Sequence, residues 1–353
     1  MAVAVSKSRQ VKNILASKIR SGEFLPGDKI YSERKLAEEY RIARGTAAKI
    51  LEELERENLI VREHGRGTFV NDISRKVYNI AYLYNSAFPA DYPWMTKLLS
   101  GMERNRAHKA FRLSVYGVDN LANNSEDLGH VIDDVRSGII EGLLINVELE
   151  EDIMLELERR DVNVVFIENR PLYMGVGYPM VGIDHFRVSY EAVRYLYEQG
   201  YRNIIAICGL SGSVTRKHFI SGFEKAMSEL GMSCADRIYS CGWSSEESKK
   251  LILECYEGNK PDAVLCSDDI QALGVIQGRN ELHLTSSDLG VVGVGNMLTV
   301  RSDLELTTFD THIERMGELA LKRLIDLLEN KAVNVLNEYV KPELIIGKSS
   351  IRK

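Results

Sequence analysis

Hydrophobic positions fall into two textures along this chain, and the change comes near residue 76. In the first stretch Val11, Ile14, Leu15 and Ile19 recur at helical spacing, and Ser21-Gly22 closes the helix they predict. Phe24-Leu25-Pro26-Gly27 reads as a turn, because Pro fixes φ and Gly tolerates φ > 0. Ser32 is placed to cap a short helix from Glu33 to about Tyr40, with Leu36 and Ala37 inward. Ala47, Ile50, Leu51 and Leu54 make one apolar stripe of a further helix from about Arg44 to Glu57. Leu59-Ile60-Val61-Arg62 and Thr68-Phe69-Val70 then read as two strands, joined through Glu63-His64-Gly65-Arg66-Gly67. The order is that of a winged helix-turn-helix. Arg44, Gly45 and Ala48 lie off the apolar stripe near a helix N-terminus, whose free N–H groups and dipole favour phosphate and base edges.

From Val77 the pattern becomes apolar runs alternating with amphipathic stretches. The runs include 80–84, 111–116, 142–145, 164–167, 204–208, 263–266 and 289–293. Between them lie helical stretches such as Tyr190 to Gln199, with Ala192, Val193 and Leu196 inward and Gly200 as the stop. Near-continuous apolar strands alternating with helices predict an α/β fold with parallel sheets covered on both faces. The run is too long for one such sheet, so two lobes are expected. The division is therefore 1–71 for the winged head, 72–76 for a polar linker and 77–353 for the body.

Composition adds four points. A chain of 353 residues is long for one compact domain. The five cysteines, Cys208, Cys234, Cys241, Cys255 and Cys266, form no CxxC pair and no metal spacing; buried structural thiols in a reducing, cytoplasmic setting are expected. No segment reaches the roughly 18 uncharged apolar residues of a membrane helix, and the start is too weakly apolar for a signal peptide, so no membrane partner is expected. The net charge of −6 also divides unevenly. Residues 1–76 hold 16 Lys and Arg against 11 Asp and Glu, a balance of +5, which leaves −11 for the remainder. A basic head on an acidic body suits a head that meets phosphate.

The head resembles the DNA-binding domain of the GntR family of bacterial regulators over about residues 8–71. The resemblance rests on Leu25-Pro26-Gly27, Ser32-Glu33-Arg34, Leu36-Ala37, Arg44, Thr46, Leu54, Leu59-Ile60, Gly65 and Gly67-Thr68-Phe69-Val70 taken together. It implies double-stranded operator DNA as partner. Arg34 then contacts backbone phosphate, Arg44 reads bases, Gly45 and Thr46 sit beside base edges or phosphate, and the wing tip of His64, Gly65 and Arg66 enters the minor groove. The chain departs from the family at three places. Ala43 replaces the usual Ser or Thr, which removes an N-cap oxygen. Ala48 stands where Arg is frequent, and Asn58 stands where Gly is frequent, at a left-handed stop that Asn tolerates.

The body resembles the sugar-sensing domain of the LacI/GalR family, related to periplasmic binding proteins, over about residues 77–350. The resemblance is carried by Val181-Gly182-Ile183-Asp184, Gly200-Tyr201-Arg202-Asn203-Ile204, Ser221-Gly222-Phe223, Pro261 to Asp269 with Ala272-Leu273-Gly274, Val291-Val292-Gly293, Leu306-Thr307-Thr308-Phe309 and Lys341 to Ile346. A GntR-like head on such a body is the arrangement of the arabinose-repressor type of regulator. The resemblance implies two lobes joined by three crossing strands, expected near Val181–Asp184, Thr308–Thr311 and Val333–Asn337. It also implies a small effector, most simply a sugar, between the lobes at strand C-terminal ends. That rule selects Tyr84, Asn85 and Phe88 after the first strand, Glu168, Asn169 and Arg170 after the fourth, and Asp268 and Asp310. Phe219 occupies the family's usual arginine position, with Arg216 nearby but out of register, and Gly295-Asn296 stand where acids are usual. The resemblance then implies a pocket without that cation and that acid, and with it a ligand other than the family's common hexoses.

Catalytic signals are weak. Gly209-Leu210-Ser211-Gly212-Ser213 follows a strand but lacks the rest of a dinucleotide or P-loop fingerprint, so a loop at the cleft mouth is the simpler reading. The seven histidines form no HExxH, and no nucleophile–base pair, cofactor site or metal site is expected. The two resemblances therefore imply a homodimeric repressor of carbohydrate genes released by its effector. A co-repressor-dependent regulator with a non-sugar effector is the alternative, and an α/β enzyme with a fused DNA-binding head a remote third.

Overall fold

The computed structural model describes residues 7–63, 65–71, 77–86, 92–107, 109–118, 125–168, 170, 177–209, 213–297, 305–331 and 336–352. His64, the linker 72–76, Phe88 and Asn169 thus lie outside the described residues. The chain forms two compact units. One runs up to Tyr78 and takes in Ala107–Phe111; the other comprises Asn79–Arg106 and Arg112 onward.

The first unit contains α1 (Lys7–Arg20), α2 (Glu33–Tyr40), α3 (Arg44–Arg56), β1 (Ile60–Glu63) and β2 (Gly67–Val70). Its core gathers Leu15, Leu36, Ile50, Leu51 and Leu54, all fully buried, with Val11, Ile19, Ile60 and Val70. Ile14 departs from the stripe expected of α1 and is 43% exposed, while Ala16 packs inward. Ser32 Oγ accepts from Lys35 N and caps α2. Ala43 takes the extended conformation of an N-cap but supplies no side-chain bond to α3. After α3, Asn58 has φ 55°, the left-handed stop its amide tolerates. β1 and β2 pair antiparallel with Glu63 opposite Gly67, which makes the wing, and Lys29 bridges to Phe69 as a short third strand.

The second unit has two lobes, and the chain changes lobe three times. It first lays down β3 (Tyr78–Asn85), α4 (Pro93–Glu103), β4 (Phe111–Val118), α5 (Ser125–Arg136), β5 (Gly142–Asn146), α6 (Glu151–Arg159), β6 (Asn163–Ile167) and β7 (Met180–Gly182). It then crosses to α7 (His185–Glu198), β8 (Ile204–Cys208), α8 (Val214–Glu229), β9 (Ile238–Ser240), α9 (Ser245–Gly258), β10 (Ala263–Cys266), α10 (Asp269–Glu281), β11 (Gly290–Val294) and β12 (Thr307–Asp310). It returns through α11 (Ile313–Leu328) to β13 (Asn337–Tyr339) and crosses a last time to β14 (Glu343–Ile345). The sheets have the orders β13-β7-β6-β5-β3-β4 and β14-β12-β11-β10-β8-β9. β14 runs antiparallel to β12, whereas β8, β9, β10, β11 and β12 run parallel, as do β3, β5, β6, β7 and β13. β5, β8, β10 and β11 are buried along their whole length, which is why they read as unbroken apolar runs. The third crossing falls at Val340–Pro342, after β13, rather than near Val333–Asn337, because Asn337 already pairs with Met180 in the first sheet.

Three helix pairs close over glycine, α9 and α10 doing so at Gly274. A Cβ on Gly101 of α4 would lie 1.8 Å from the carbonyl oxygen of Glu314, and one on Gly317 of α11 would lie 2.1 Å from that of Leu98. Gly222 of the Ser-Gly-Phe segment likewise seats α8 on α7, since a Cβ there would lie 2.1 Å from the Phe186 carbonyl oxygen, while Ser189 Oγ donates to the Phe219 carbonyl at 2.6 Å. These contacts fix the rotation of α8 and so decide which of its side chains face the cleft.

Candidate DNA-binding face and ligand cleft

On the first unit the N-termini of α2 and α3 and the wing carry exposed basic groups. Arg34 and Arg44 are 80% and 75% exposed, and Arg66 at the wing tip is similarly open. Gly45 is exposed and Thr46 half-buried, and Gly65 has φ 74° in the wing turn. Each arginine lies near a carboxylate of the same unit. Arg34 Nε is 3.8 Å from Glu38, Arg44 Nε is 3.9 Å from Glu33, and Arg66 pairs with Glu63. Arg66 also lies over the Phe69 ring, 5.7 Å from its centroid. Arg62 of β1 bonds the second oxygen of Glu33.

In the second unit a cavity of about 140 Å³ opens where strands of both lobes end. From the first lobe come Asn85 at the end of β3, Asn146 to Glu148 from the end of β5 onward, Glu168 after β6, and Tyr92 and Trp94 at the start of α4. From the second come Cys208 and Gly209 at the end of β8, Ser213, Thr215, Arg216 and Phe219 at the start of α8, Trp243, Ser267 and Asp268 after β10, and Val294, Gly295 and Met297. Ile183, His185 and Thr311 line it from the crossings.

Of the residues expected there, Asn85, Glu168, Phe219 and Asp268 line the cavity, while Tyr84, Arg170 and Asp310 do not. Tyr84 points to the opposite face of β3 from Asn85, as strand alternation requires, and stacks on Tyr82. Arg170 donates to the Tyr178 carbonyl and to Asn337 Oδ1, stitching the sheet edge. Asp310 accepts from Asn296 Nδ2 and the His312 amide beside a crossing. The cation and acid missing at the family's usual positions have counterparts at others. Arg216 faces the cavity one turn before Phe219, its Nε held by the Gly209 carbonyl and an Nη by Ser240, and Glu148, Glu168 and Asp268 supply three carboxylates. The sequence reading missed Arg216, His185, Tyr92, Trp94 and Trp243. Both tryptophans of the chain lie here, which is the compositional signal that was available.

The polar groups are held in place. Asp268 caps α10 by accepting from Gln271 N at 2.8 Å and takes the Tyr92 hydroxyl at 2.8 Å. Burial pushes its carboxyl up to about 6, and does the same to neighbouring Asp269, which accepts from Thr308 Oγ1 and Met297 N. Burial also raises the Tyr92 phenol, with the Asp268 charge second. Glu168 stands at φ 65° and pairs with His185 Nε2 at 2.8 Å. Glu148 Oε1 accepts from Val214 N at the N-terminus of α8, which Ser213 caps. Carboxylates, amides and hydroxyls set beside aromatic faces suit a polyhydroxylated ring, whose hydroxyls donate and accept while its C–H face stacks. Cys208 and Cys241, by contrast, are pushed up to about 12 by burial, so thiolate chemistry is suppressed. The described residues hold no cluster of His, Cys, Asp or Glu suited to a metal, and no described helix is long and apolar enough to cross a membrane.

The fold and cleft define a two-lobed ligand-binding domain, and the first unit is a winged helix-turn-helix. Residues 7–70 match the bacterial regulatory proteins of the gntR family, and residues 193–350 match the periplasmic binding protein-like domain. The chain therefore joins a gntR-family head to a periplasmic-binding-protein-like body. It is similar, at 26% identity over 353 residues covering 92% of this chain and 90% of the other, to the arabinose metabolism transcriptional repressor of Halalkalibacterium halodurans. In fold it is similar to the transcription regulator CcpA of Lactococcus lactis, with TM-score 0.69, 17% identity, and 78% of this chain and 100% of that one covered. It is also similar to a LacI family transcriptional regulator from Enterococcus faecium with bound ribose, with TM-score 0.68, 18% identity, and 78% and 99% covered.

Proposed function

We propose that the protein is a transcriptional repressor of carbohydrate-metabolism genes whose hold on operator DNA is released by a small sugar bound between its lobes. Residues 1–71 are the DNA-binding domain, 72–76 the linker and 77–353 the ligand-binding domain, which also forms the homodimer that sets two heads on a palindromic site. Arg44 with Gly45 and Thr46 reads the major groove, Arg34 holds phosphate, and the wing with His64, Gly65 and Arg66 follows the minor groove. Asn85, Glu168, Phe219 and Asp268, with Arg216, Trp94 and Trp243, bind the sugar. Such a protein acts in the cytoplasm and carries out no catalysis.

The observation that carries this reading is the cleft, where strand ends of both lobes bring aromatic faces and hydrogen-bonding groups onto one small cavity. The repressor of arabinose metabolism, similar over nine-tenths of the chain, makes aldopentoses the first ligands to try. The test is a gel shift on DNA upstream of the protein's own coding sequence, run with a panel of neutral monosaccharides and followed in parallel by tryptophan fluorescence. A sugar that changes the fluorescence and releases the DNA is expected. A ligand that instead tightens DNA binding makes the protein a co-repressor system, and no shift with any duplex from the locus overturns the assignment.

A further inference from the structure

The N-terminus of α8 opens on the cleft with the parts of an anion seat. Amides at the start of a helix and the helix dipole favour negative charge. The sequence adds the hydroxyls of Ser213 and Thr215 and the guanidinium of Arg216, and all three residues line the cleft. The protein fills this seat itself. Glu148, half-buried and reaching over from the first lobe beyond β5, accepts the amide of Val214 at 3.1 Å. Ser213 Oγ accepts the amide of Arg216 at 3.1 Å and lies 3.1 Å from Thr215 Oγ1. Arg216 is committed as well, with Nε on the Gly209 carbonyl at 3.0 Å and an Nη on Ser240 Oγ at 2.7 Å.

Among the described lining residues, a ligand meets the carboxylates of Glu148, Glu168 and Asp268 against the guanidinium of Arg216, with His185 already set on Glu168. Hydroxyls are well served by such a wall, because a carboxylate accepts from them in a charge-assisted bond. A phosphoryl group is not. Placed at the head of α8 it lies beside the Glu148 charge, and like charges repel strongly where the cavity wall excludes solvent. Displacement of Glu148 gives no relief, since it breaks the bond to Val214 and leaves the same charge in the same small cavity. We infer that Glu148 is a specificity-determining residue, which occupies the anion seat of α8 and keeps phosphorylated sugars out of the cleft. This rests on the reading of the cleft as a sugar site. An effector selected in this way is the sugar as it stands before any phosphoryl transfer to it, so the signal precedes the kinase-type reaction that would consume it.

The test uses the full chain and the fluorescence of Trp94 and Trp243, both of which line the cleft. Neutral monosaccharides, beginning with arabinose and ribose, are titrated beside their phosphate esters at either end of the sugar. The quantity read is the ratio of dissociation constants, ester over neutral sugar. In the parent it should be about a hundredfold or more. Glu148→Gln keeps an acceptor for the Val214 amide but removes the charge, and should lower the ratio by about tenfold or more. Glu148→Asp keeps the charge and should hold the ratio within about threefold of the parent's. A parent that binds an ester as tightly as the neutral sugar overturns the inference, and so does a Glu148→Gln ratio equal to the parent's. An equal fall in the Asp and Gln variants also overturns it, because the bond to Val214 rather than the charge would then decide. The two levels separate in the same data. If no neutral sugar changes the fluorescence of the parent, the sugar reading of the cleft fails. If one does and the ratio is indifferent to residue 148, only the role of Glu148 fails.

Discussion

The hydroxyl of Tyr92 donates to the carboxylate of Asp268 at 2.8 Å, and this buried bond joins one lobe of the body to the other along the wall of the cleft. Further bonds cross between the lobes, Glu168 to His185 among them. Lys97 Nζ of α4 reaches the Asn296 carbonyl at 2.9 Å, and the amide of Val214 reaches Glu148 at 3.1 Å. The groups that line the ligand site therefore also hold the lobes, so a ligand that recruits Asp268 or Glu148 acts on lobe closure directly. Removal of the Tyr92 hydroxyl leaves a buried acceptor one donor short. Tyr92→Phe should cost about 1–3 kcal/mol of body stability. Urea unfolding read by tryptophan fluorescence reports this, because Trp94 and Trp243 both belong to the body. A midpoint equal to the parent's would mean that the bond contributes nothing.

The same carboxylate predicts a pH dependence. Asp268 and Asp269 are raised by burial from an ordinary 3.8 to about 6, so the folded state keeps their protons where the unfolded chain has released them. Stability then falls as pH rises from about 4 to about 6 and is flat above, so these groups favour the folded body on acidification from pH 7 toward 4. A carboxyl moved this far contributes about 3 kcal/mol at most. Asp268→Asn should remove its share, and the difference between variant and parent in urea midpoint should shrink or change sign across that window. A difference constant from pH 7 to 4 would contradict the raised value.

Much of this was legible in the sequence, for reasons that differ by element. β5, β8, β10 and β11 were readable because both faces of a parallel sheet are covered and every position is apolar. α2 was readable because its start depends on one local bond, Ser32 to Lys35 N. Arg216 was not readable. Its entry to the cleft depends on the rotation of α8, set by Gly222 against the Phe186 carbonyl and by the Ser189 bond to Phe219, contacts that spacing along α8 does not encode. Tyr84 failed for a simpler reason, since the rule that ligands meet strand ends does not say which of two successive residues faces the cleft, and Asn85 does.

The seat of α4 on α11 predicts a contrast among glycines. Gly101→Ala and Gly317→Ala would each drive a methyl into a carbonyl oxygen of the facing helix, Glu314 or Leu98, with backbone that must shift. Each should cost at least about 1–3 kcal/mol of body stability. Gly129→Ala in α5 meets open space at a helical position and should stabilise by about 0.5–1 kcal/mol. The three variants compared by urea unfolding give the answer; a neutral Gly101→Ala would mean that the helices are not packed this closely.

The start of α3 gives the last prediction. Ala43 has φ −65° and ψ 145°, the conformation of a capping residue, and its side chain makes no bond to the helix. A serine there needs no backbone change to accept from the amide of Gly45 or Thr46. Ala43→Ser should stabilise the head by about 0.5–2 kcal/mol. Amide exchange at Thr46 and Ala47 should slow in proportion, while the tryptophan signal of the body stays unchanged. The same hydroxyl occupies donors that the bare helix end leaves for a phosphate. Stability and DNA affinity should therefore separate, with the variant more stable but binding the upstream duplex no more tightly. If exchange at Thr46 is unaltered, the serine is not capping. If both stability and affinity rise, those amides do not serve DNA, and recognition at this helix end rests on the Arg44 side chain.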